Sequence, residues 1–358
     1  MSKKSFMTFY ISLLSVLIAS CGGGGGGSDN NPPPATAETG ILLDSPVSGV
    51  NYQTATQSGV TDAQGQYSYI AGETVIFSIG DVVFPSTQAA PVVTPLDMIG
   101  ETDLTDTSVI NILRLLQSLD IDGDPTNGIE ISQVAHTAAT GLTIDYQSST
   151  FDTDVANLVA NSGSSTTVLI DEATAIDHFK STLSTQLVDW ESYYNYADNR
   201  QWNYSFILGG IGESIYEYTV SSNVNEQDVY IHGWSSNWYT GKEYISSDMT
   251  NGVLFVGVNN NGFDTFFSSP IILSCNLYET CNISGIAGGF DYSFSIYNEL
   301  ETITVPAGAY NDCIKSTSTD NIEGVTRVRW NCKGVGKVKQ EEGVDHHYVL
   351  ESISTYNP

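Results

Sequence analysis

Basic residues are scarce in this sequence. Of 358 residues, 12 are Lys or Arg and 41 are Asp or Glu, so the formal net charge is −29 at pH 7. Proteins that bind nucleic acid need clustered Lys and Arg, so this composition excludes nucleic acid as a partner. It also excludes adhesion to an anionic bilayer by charge, while it favours solubility and the binding of cations.

Familiar catalytic motifs are missing as well. The chain has no G-x-S-x-G, no H-E-x-x-H and no phosphate-binding loop. Paired carboxylates for glycoside hydrolysis have no fixed spacing, so a polysaccharide hydrolase stays open as an alternative function. His346 and His347 are adjacent, and neighbouring residues of a strand point to opposite faces, which disfavours a transition-metal site there.

The N-terminus has the features of an export signal. Lys3 and Lys4 precede an apolar run that is too short to span a bilayer. The run ends in IASC, residues 18–21, which resembles the lipobox of bacterial lipoproteins. The resemblance implies that residues 1–20 are removed as a signal peptide and that Cys21 is acylated, with two or three acyl chains forming a firm anchor. The alternative is an ordinary signal peptide in which this cysteine is incidental.

The residues after Cys21 indicate which membrane holds the protein and how the folded part is connected to its anchor. Gly22 stands where lipoproteins retained in the inner membrane carry Asp, so the resemblance implies the outer membrane, on a side that the sequence leaves open. Residues 21–39 form a lipidated tether in which Gly and Ser give flexibility and Pro32–Pro34 stiffen the end. Loss of Lys3 and Lys4 with the signal peptide makes the net charge −31.

Cysteine is rare after the anchor. Four cysteines remain in an oxidising compartment, so two disulfides are expected, and three pairings are possible. We expect Cys275–Cys281, which closes a short loop, and Cys313–Cys332, which would join two nearby strands. A zinc site is the competing interpretation, but the chain has no C-x-x-C pair and extracytoplasmic thiols tend to oxidise.

Residues 40–96 have the pattern of a small β-domain. Apolar and polar residues alternate there, and Thr61–Gly65 has the composition of a β-turn. Val75, Phe77 and Ile79 fall on one side of a predicted strand, with more polar positions between them. This pattern predicts a small β-sandwich.

Residues 97–190 are predicted to be helical, with one Asp-rich loop. In TDTSVINILRLLQSL, residues 105–119, the apolar residues form one stripe along a helix. DEATAIDHFKSTLSTQL, residues 171–187, repeats that pattern, and FDTDVANLVANSG, residues 151–163, is a weaker case. Helices of this length are marginal alone, so we expect them to pack on each other and on the small β-domain.

Residues 195–358 are predicted to form an antiparallel β-domain. FDYSFSIY, residues 290–297, alternates apolar with polar side chains, as a half-buried strand does. Aromatic residues are frequent here, and Trp234, Trp238 and Tyr239 are candidates for binding a sugar or a peptide, because exposed rings offer large rigid surfaces. The competing interpretation puts these rings in the sheet core and in cross-strand pairs.

Several motifs in the first half of the chain resemble a known module. DSPVSGVNYQT, GVTDAQGQYSY and AGETVIFSIGDVVF, followed by TPLDM and NILRLLQSLDIDGDPTNGIEIS, are similar to a module of Gram-negative surface lipoproteins and adhesin-like proteins. Its first part resembles carboxypeptidase-regulatory, transthyretin-like β-domains, and the match covers residues 40–185. Members of that family are mostly uncharacterised, so the resemblance implies a binding or scaffold module rather than an activity.

The C-terminal part carries a second resemblance. TITVPAGAYNDCIK, followed by WNCKGVGKVKQEEG, is similar to a C-terminal signature of secreted bacterial lipoproteins that is associated with curved antiparallel sheets. Cys332 departs from that signature, which supports its pairing with Cys313. The predicted fold class is therefore mostly β with a helical middle segment: a small β-sandwich, a short helical segment, and a curved antiparallel sheet.

The clearest candidate site is the Asp-rich stretch SLDIDGDPTNGIEIS, residues 118–132, which we call the Asp loop. Asp120, Asp122 and Asp124 stand at the first, third and fifth positions of a calcium loop. Alternate residues let their carboxylates converge on one hard cation that takes six to eight oxygens. The Asp loop therefore predicts a calcium site with a structural role.

Other residues would have to complete this shell. Asn127, Glu130 or backbone carbonyls are the candidates. The loop departs from an EF-hand, because Pro125 replaces the glycine of position six and Ile131 replaces the bidentate Glu of position twelve, which should weaken affinity. The competing interpretation is a solvated turn, since Asp-Gly, Asp-Pro and Asn-Gly all form turns.

The expected function follows from these features. The sequence predicts an outer-membrane lipoprotein, attached to the membrane through its lipid, that does non-catalytic binding or structural work such as adhesion and is stabilised by calcium. Its ligand would be a polysaccharide or a protein of the cell envelope. Two alternatives stay open: a polysaccharide-directed hydrolase, and a carrier of lipid or lipoprotein, because curved sheets can enclose apolar ligands.

Overall fold

The computed structural model describes residues 35–186, 188–195, 200–208, 211–224, 227–235, 240–248, 252–260, 263–272, 275–287, 290–343 and 346–355. The predicted signal peptide, Cys21 and most of the predicted tether lie outside these residues. From Thr36 onward the chain is one compact unit, so its sheets and helices pack on one another.

Nine short strands open the described chain. They are β1 (Glu38–Leu42), β2 (Val47–Ser48), β3 (Asn51–Gln53), β4 (Ser58–Val60), β5 (Gln66–Tyr69), β6 (Thr74–Ile79), β7 (Val82–Val83), β8 (Thr87–Gln88) and β9 (Val92–Val93). In one sheet β1 lies between β5, which is antiparallel to it, and β9, which is parallel. A second sheet has the order β4-β3-β6-β7, with β8 also paired to β6. Both sheets contribute to one buried core, as a small β-sandwich requires.

The alternation along β6 decides which face of its sheet is buried. Val75, Phe77 and Ile79 are fully buried, as their spacing predicted, whereas Ile76 between them is exposed. The Phe77 ring meets Tyr67 of β5 edge-on, with 5.2 Å between the ring centroids. The two small sheets therefore join through aromatic packing on one face and leave the other face of the β6 sheet to solvent.

Six α-helices are found in the described residues. They are α1 (Pro95–Ile99), α2 (Thr107–Ser118), α3 (Gln133–Ala138), α4 (Phe151–Ala160), α5 (Glu172–Ser184) and α6 (Trp190–Tyr194). The three helices predicted from apolar stripes are confirmed as α2, α4 and α5. Ile112 and Leu116 of α2 lie in the core of the small sandwich, while Phe179 of α5 packs against Leu113. No helix in the described part of the chain has the length and apolar character needed to cross a membrane.

A short parallel pair connects the helical region to the sandwich. After a 3₁₀ turn at Pro125–Asn127, the strand β10 (Ile129–Glu130) pairs with β2. The end of the Asp loop is thus held by backbone hydrogen bonds against the first strands of the chain. The N–H of Ile129 donates to the carbonyl of Pro46 at 3.0 Å.

The rest of the chain forms one twelve-stranded antiparallel sheet. Its strands are β11 (Arg200–Leu208), β12 (Ile211–Val224), β13 (Gln227–Ser235), β14 (Thr240–Asp248), β15 (Gly252–Asn260), β16 (Phe263–Ile272), β17 (Thr280–Ala287), β18 (Phe290–Val305), β19 (Gly308–Asp320), β20 (Thr326–Cys332), β21 (Gly336–Glu342) and β22 (His346–Thr355). Their order is β16-β15-β14-β13-β12-β11-β22-β21-β20-β19-β18-β17, so the first and last strands of this segment meet in the middle.

The large sheet curves around α6. Trp190 and Tyr193 of α6 share one buried cluster with Ile245 of β14, with Ile314 of β19 and with Leu277 from the loop before β17. Six strands separate β14 from β19 in the strand order. At ~4.8 Å per strand, a flat sheet would hold these two strands roughly 34 Å apart. The sheet must therefore bend to bring both to α6, in agreement with the predicted fold class.

Both predicted disulfides are formed, Cys275–Cys281 and Cys313–Cys332. The second joins residues that are directly paired between β19 and β20. The short loop closed by the first carries Tyr278, which packs with the α5 cluster and has the Lys180 Nζ 5.7 Å from its ring centroid. This loop therefore connects the helical region to the large sheet.

Candidate functional site

The Asp loop begins where α2 ends, and its first carboxylate is buried. Asp120 is 1% exposed, and its Oδ1 accepts the backbone N–H of Glu130 at 2.8 Å. Its Oδ2 is also buried and accepts no hydrogen bond from the described residues. One oxygen of this carboxylate is thus fixed by the backbone, and the other is left without a donor.

A second carboxylate stands beside the first. Burial raises the pKa of Asp120 to about 6, and the neighbouring Asp122 carboxylate adds to that rise. The pKa of Asp122 is lowered, chiefly by the side-chain amide of Asn127 and the backbone N–H of Asp124. The pair therefore combines one exposed, well-solvated carboxylate with one buried carboxylate whose charge is poorly compensated.

The remaining predicted ligands shape the loop. Asp124 Oδ1 accepts the hydroxyl of Thr126 at 2.6 Å, and Asn127 Nδ2 donates to Asp122 Oδ2 at 3.0 Å. The side chain of Glu130 is exposed, and the residue contributes its backbone N–H to Asp120. Within the described residues, no three His, Cys, Asp or Glu side chains are grouped so that they could hold a metal.

The structure adds a segment that the sequence analysis missed. Ser164 Oγ donates to the carbonyl of Asp120 at 2.5 Å, and Ser165 Oγ donates to the carbonyl of Asp122 at 2.6 Å. Gly123 has φ 72°, and a Cβ on it would lie 2.5 Å from Ser165 Oγ and 2.9 Å from Thr166 Oγ1. We call residues 164–166 the Ser/Thr segment. Its three hydroxyl groups lie against the Asp loop.

A second buried carboxylate belongs to the turn after β1. Asp44 is fully buried, and burial raises its pKa to about 8, although the Gln117 amide opposes the rise. Gln117 Nε2 donates to both carboxylate oxygens, at 3.2 and 3.0 Å. Gln117 Oε1 is buried without a donor among the described residues. A protonated Asp44 could supply that donor, which is consistent with its raised pKa.

Asp44 also lies near a serine and a histidine, but not in the geometry of a catalytic triad. Ser45 Oγ is 3.2 Å from His178 Nε2, and Asp44 Oδ1 is 3.8 Å from the same nitrogen. A triad needs the serine and the carboxylate on opposite ring nitrogens. This group instead joins the β1–β2 turn to α5, where Ser45 Oγ also contacts Thr182 Oγ1 at 3.4 Å.

The large sheet contains a buried carboxylate whose pKa is lowered, in contrast to that of Asp44. Glu217 of β12 forms an ion pair with Lys337 of β21 and lies 3.2 Å from His232 Nε2. Burial alone would raise the pKa of Glu217, but the charge of Lys337 and the hydrogen bond of His232 bring it well below its ordinary value. The Lys337 Nζ lies 5.0 Å from the Tyr204 ring centroid and 5.1 Å from that of Tyr348, so aromatic faces complete its surroundings.

Of the aromatic candidates, Trp234 lies in β13, opposite Glu217 of β12. Its side chain, and the whole of Trp238 and Tyr239, fall outside the described residues, so their role stays a prediction. Trp202 and Tyr204 of β11 are 3% and 2% exposed and belong to the buried core of the sheet. These two rings therefore lie in the core of the sheet.

The outer face of the β6 sheet is an open, partly apolar surface. Val60, Ile76 and Val83 are 57%, 41% and 54% exposed. Strand pairing puts two rows of residues on this face, which we call the uncharged face: Val60, Asn51, Ser78 and Val83, then Ser58, Gln53 and Ile76. A depression of about 410 Å³ lies over it, and none of the residues that line it is charged.

Comparison with known proteins gave no relative. No family model, no curated protein and no solved structure matches this chain. The resemblances to lipoprotein modules therefore remain expectations.

Proposed function

We propose that this protein is a lipid-anchored, non-catalytic binding protein of the outer membrane, and that its ligand contacts the uncharged face. The observation that supports the proposal is the chemistry of that face. It is free of charge in a chain whose formal net charge is −29. Three aliphatic side chains point outward there, where a solvated sheet face normally carries polar residues.

The composition of the face favours a neutral polysaccharide. Asn51 and Gln53 offer amide donors and acceptors, and Ser58 and Ser78 offer hydroxyl groups, which match the hydroxyl groups of a sugar. An anionic polymer would be repelled by the acidic chain around the face. A protein ligand is the alternative, and the binding experiment below separates the two.

The anchor is tested by metabolic labelling. Cells that express the full chain should incorporate labelled palmitate into the protein, and Cys21→Ala should abolish the incorporation and release the protein from the membrane fraction. Unchanged membrane attachment of the Cys21→Ala variant would contradict the anchor.

Binding is tested with the mature chain on immobilised neutral polysaccharides from the envelope. Ile76→Lys puts a desolvated charge in the centre of the uncharged face, so it should weaken binding by ~10-fold or more. Val168→Lys is the matched control, because Val168 is 75% exposed and lies outside the face. Equal loss in both variants, or binding to envelope proteins alone, would reject the polysaccharide assignment.

A further inference from the structure

Asp120 has a buried carboxylate oxygen without a partner among the described residues. The carboxylate is 1% exposed, and Oδ2 has no hydrogen-bond donor among the described residues. Buried polar atoms without partners are rare in native proteins because their lost hydration is costly, and a bound cation offsets that cost for a carboxylate oxygen. The side chain cannot turn to solvent freely, because the Glu130 N–H holds Oδ1 at 2.8 Å.

The part of the chain that contains the Asp loop carries few basic residues. Between residues 36 and 186, Arg114 and Lys180 are the only Lys or Arg. Arg114 forms an ion pair with Asp152, with 2.8 Å between Nη1 and Oδ1, and the Lys180 ammonium lies against the Tyr278 ring. Neither of these contacts involves the Asp loop.

Hydroxyl oxygens of a second segment lie against the Asp loop. The Ser/Thr segment brings three hydroxyl oxygens against the backbone of Asp120, Asp122 and Gly123. Hydroxyl, carbonyl and carboxylate oxygens are the ligands of hard divalent cations, whereas transition metals prefer His and Cys. Calcium tolerates irregular shells and makes up its coordination with water, so two carboxylates are a sufficient charge.

We propose a calcium site between the Asp loop and the Ser/Thr segment, with Asp120 Oδ2 and the Asp122 carboxylate as its charged ligands. Oxygen atoms of the Ser/Thr segment and water complete the shell. Asp124 and Asn127 act in this site by holding the turn and not as ligands, which differs from the EF-hand-like shell that the sequence suggests. The ion joins the end of α2 to the segment between α4 and α5, independently of the uncharged face.

The test is calcium binding to the mature chain by titration calorimetry, with thermal melts in calcium and in chelator. Wild type should bind one calcium, and its Tm should rise in calcium. Asp122→Asn should lower the affinity by ~10-fold or more, because it removes one of two ligand charges. Asp124→Asn should change affinity much less.

Asp145→Asn is the matched control, because Asp145 also caps an exposed turn, accepting the Gln147 N–H at 2.9 Å. It should bind calcium as wild type does. Asp122 and Asp145 are both exposed, so neither variant endangers folding.

Asp120→Asn gives an independent readout. Its amide can donate to the Asp122 carboxylate, so the variant should lose calcium binding yet keep a high Tm in chelator. No binding by wild type at millimolar calcium, or unchanged affinity in Asp122→Asn, overturns the proposal. Magnesium serves as the comparison ion, and equal or tighter binding of magnesium would overturn the assignment to calcium.

Discussion

Two buried carboxylates, one in each half of the molecule, are stabilised in opposite ways. Glu217 in the large sheet is paired with Lys337, which keeps its pKa well below the ordinary value. Asp44 in the sandwich and helix region has an amide for its partner, and burial raises its pKa to about 8. Burial of a charge is costly in both cases, and the two halves offset that cost by different means.

The difference follows from where the cations are in the chain. Eight of the twelve Lys and Arg lie in residues 200–355, and two lie in residues 36–186. The sheet therefore neutralises its acids internally, as with Lys315 between Glu299 and Glu301, each at 3.0 Å. In the first half, we expect a buried acid to hold a proton, as the raised pKa of Asp44 indicates, or to take a cation from solution, as we propose for Asp120.

The largest expected effect comes from Asp44→Asn. Because the folded-state pKa is above the ordinary value of 3.8, the folded state binds more protons than the unfolded state up to about pH 8. Wild-type stability should thus fall with rising pH across that window, by up to ~1.4 kcal/mol per pH unit. The Asn variant should lose this slope and be more stable at pH 8, since its amide can donate to Gln117 Oε1.

Chemical denaturation at several pH values measures this slope. Asp145→Asn, at an exposed turn, should keep the wild-type pH dependence and serves as the control. If the free energy of unfolding depends on pH in the same way for Asp44→Asn and wild type, Asp44 is not the group that is protonated in the folded state.

The next largest effect should come from the buried pair of the sheet. Lys337→Met leaves Glu217 buried without its cation, which should lower the free energy of unfolding by about 3–5 kcal/mol. The double variant Glu217→Gln with Lys337→Met should recover most of that loss, because no charge is then buried alone. Denaturant melts of wild type, Lys337→Met, Glu217→Gln and the double variant at neutral pH form the cycle. Losses of the two single variants that simply add in the double variant would show that the pair is not coupled.

A smaller effect tests how the two halves are joined. Cys281→Ser opens the loop that carries Leu277 and Tyr278 between the helices and the sheet. Loss of a short disulfide loop should cost about 2 kcal/mol in the chain-entropy model. Calorimetry under oxidising conditions should show a lower Tm. An unchanged Tm would mean that packing alone holds the junction.

The smallest effect is expected at an exposed ion pair. Lys339 Nζ lies 2.7 Å from Glu341 Oε1, and both side chains are about one-third exposed. Glu341→Gln should change stability by less than ~0.5 kcal/mol, because solvent and salt screen such pairs. A loss comparable to that of Lys337→Met would mean that exposure does not decide the strength of ion pairs in this sheet.

Local patterns allowed much of the fold to be predicted. The apolar stripe of residues 105–119 gave α2, and the alternation of Val75, Phe77 and Ile79 gave the buried face of β6, because both depend on periodicities of the backbone. Spacing and the expectation of an oxidising compartment gave both disulfides. These predictions concern residues that are close in sequence or of a rare type.

The long-range contacts could not be predicted in this way. The Ser/Thr segment lies more than 40 residues after the Asp loop, and its composition is that of any polar loop. Asp44 and Gln117 are 73 positions apart, so nothing local indicates that they are buried together. The EF-hand-like spacing points to the loop and to Asp120 and Asp122, the two carboxylates of the site that we propose. The structure then shows Asp124 and Asn127 bonded within the turn.

We infer that the first half of the molecule buries acids without protein cations. The carboxyl ¹³C shift of Asp44 across a pH titration of selectively labelled protein measures the consequence, with Asp44→Asn assigning the signal. We expect this carboxyl group to stay protonated at neutral pH and to titrate at about pH 8. Titration at or below its ordinary pKa of 3.8 would mean that a positive charge reaches Asp44, and the contrast with Glu217 would fail.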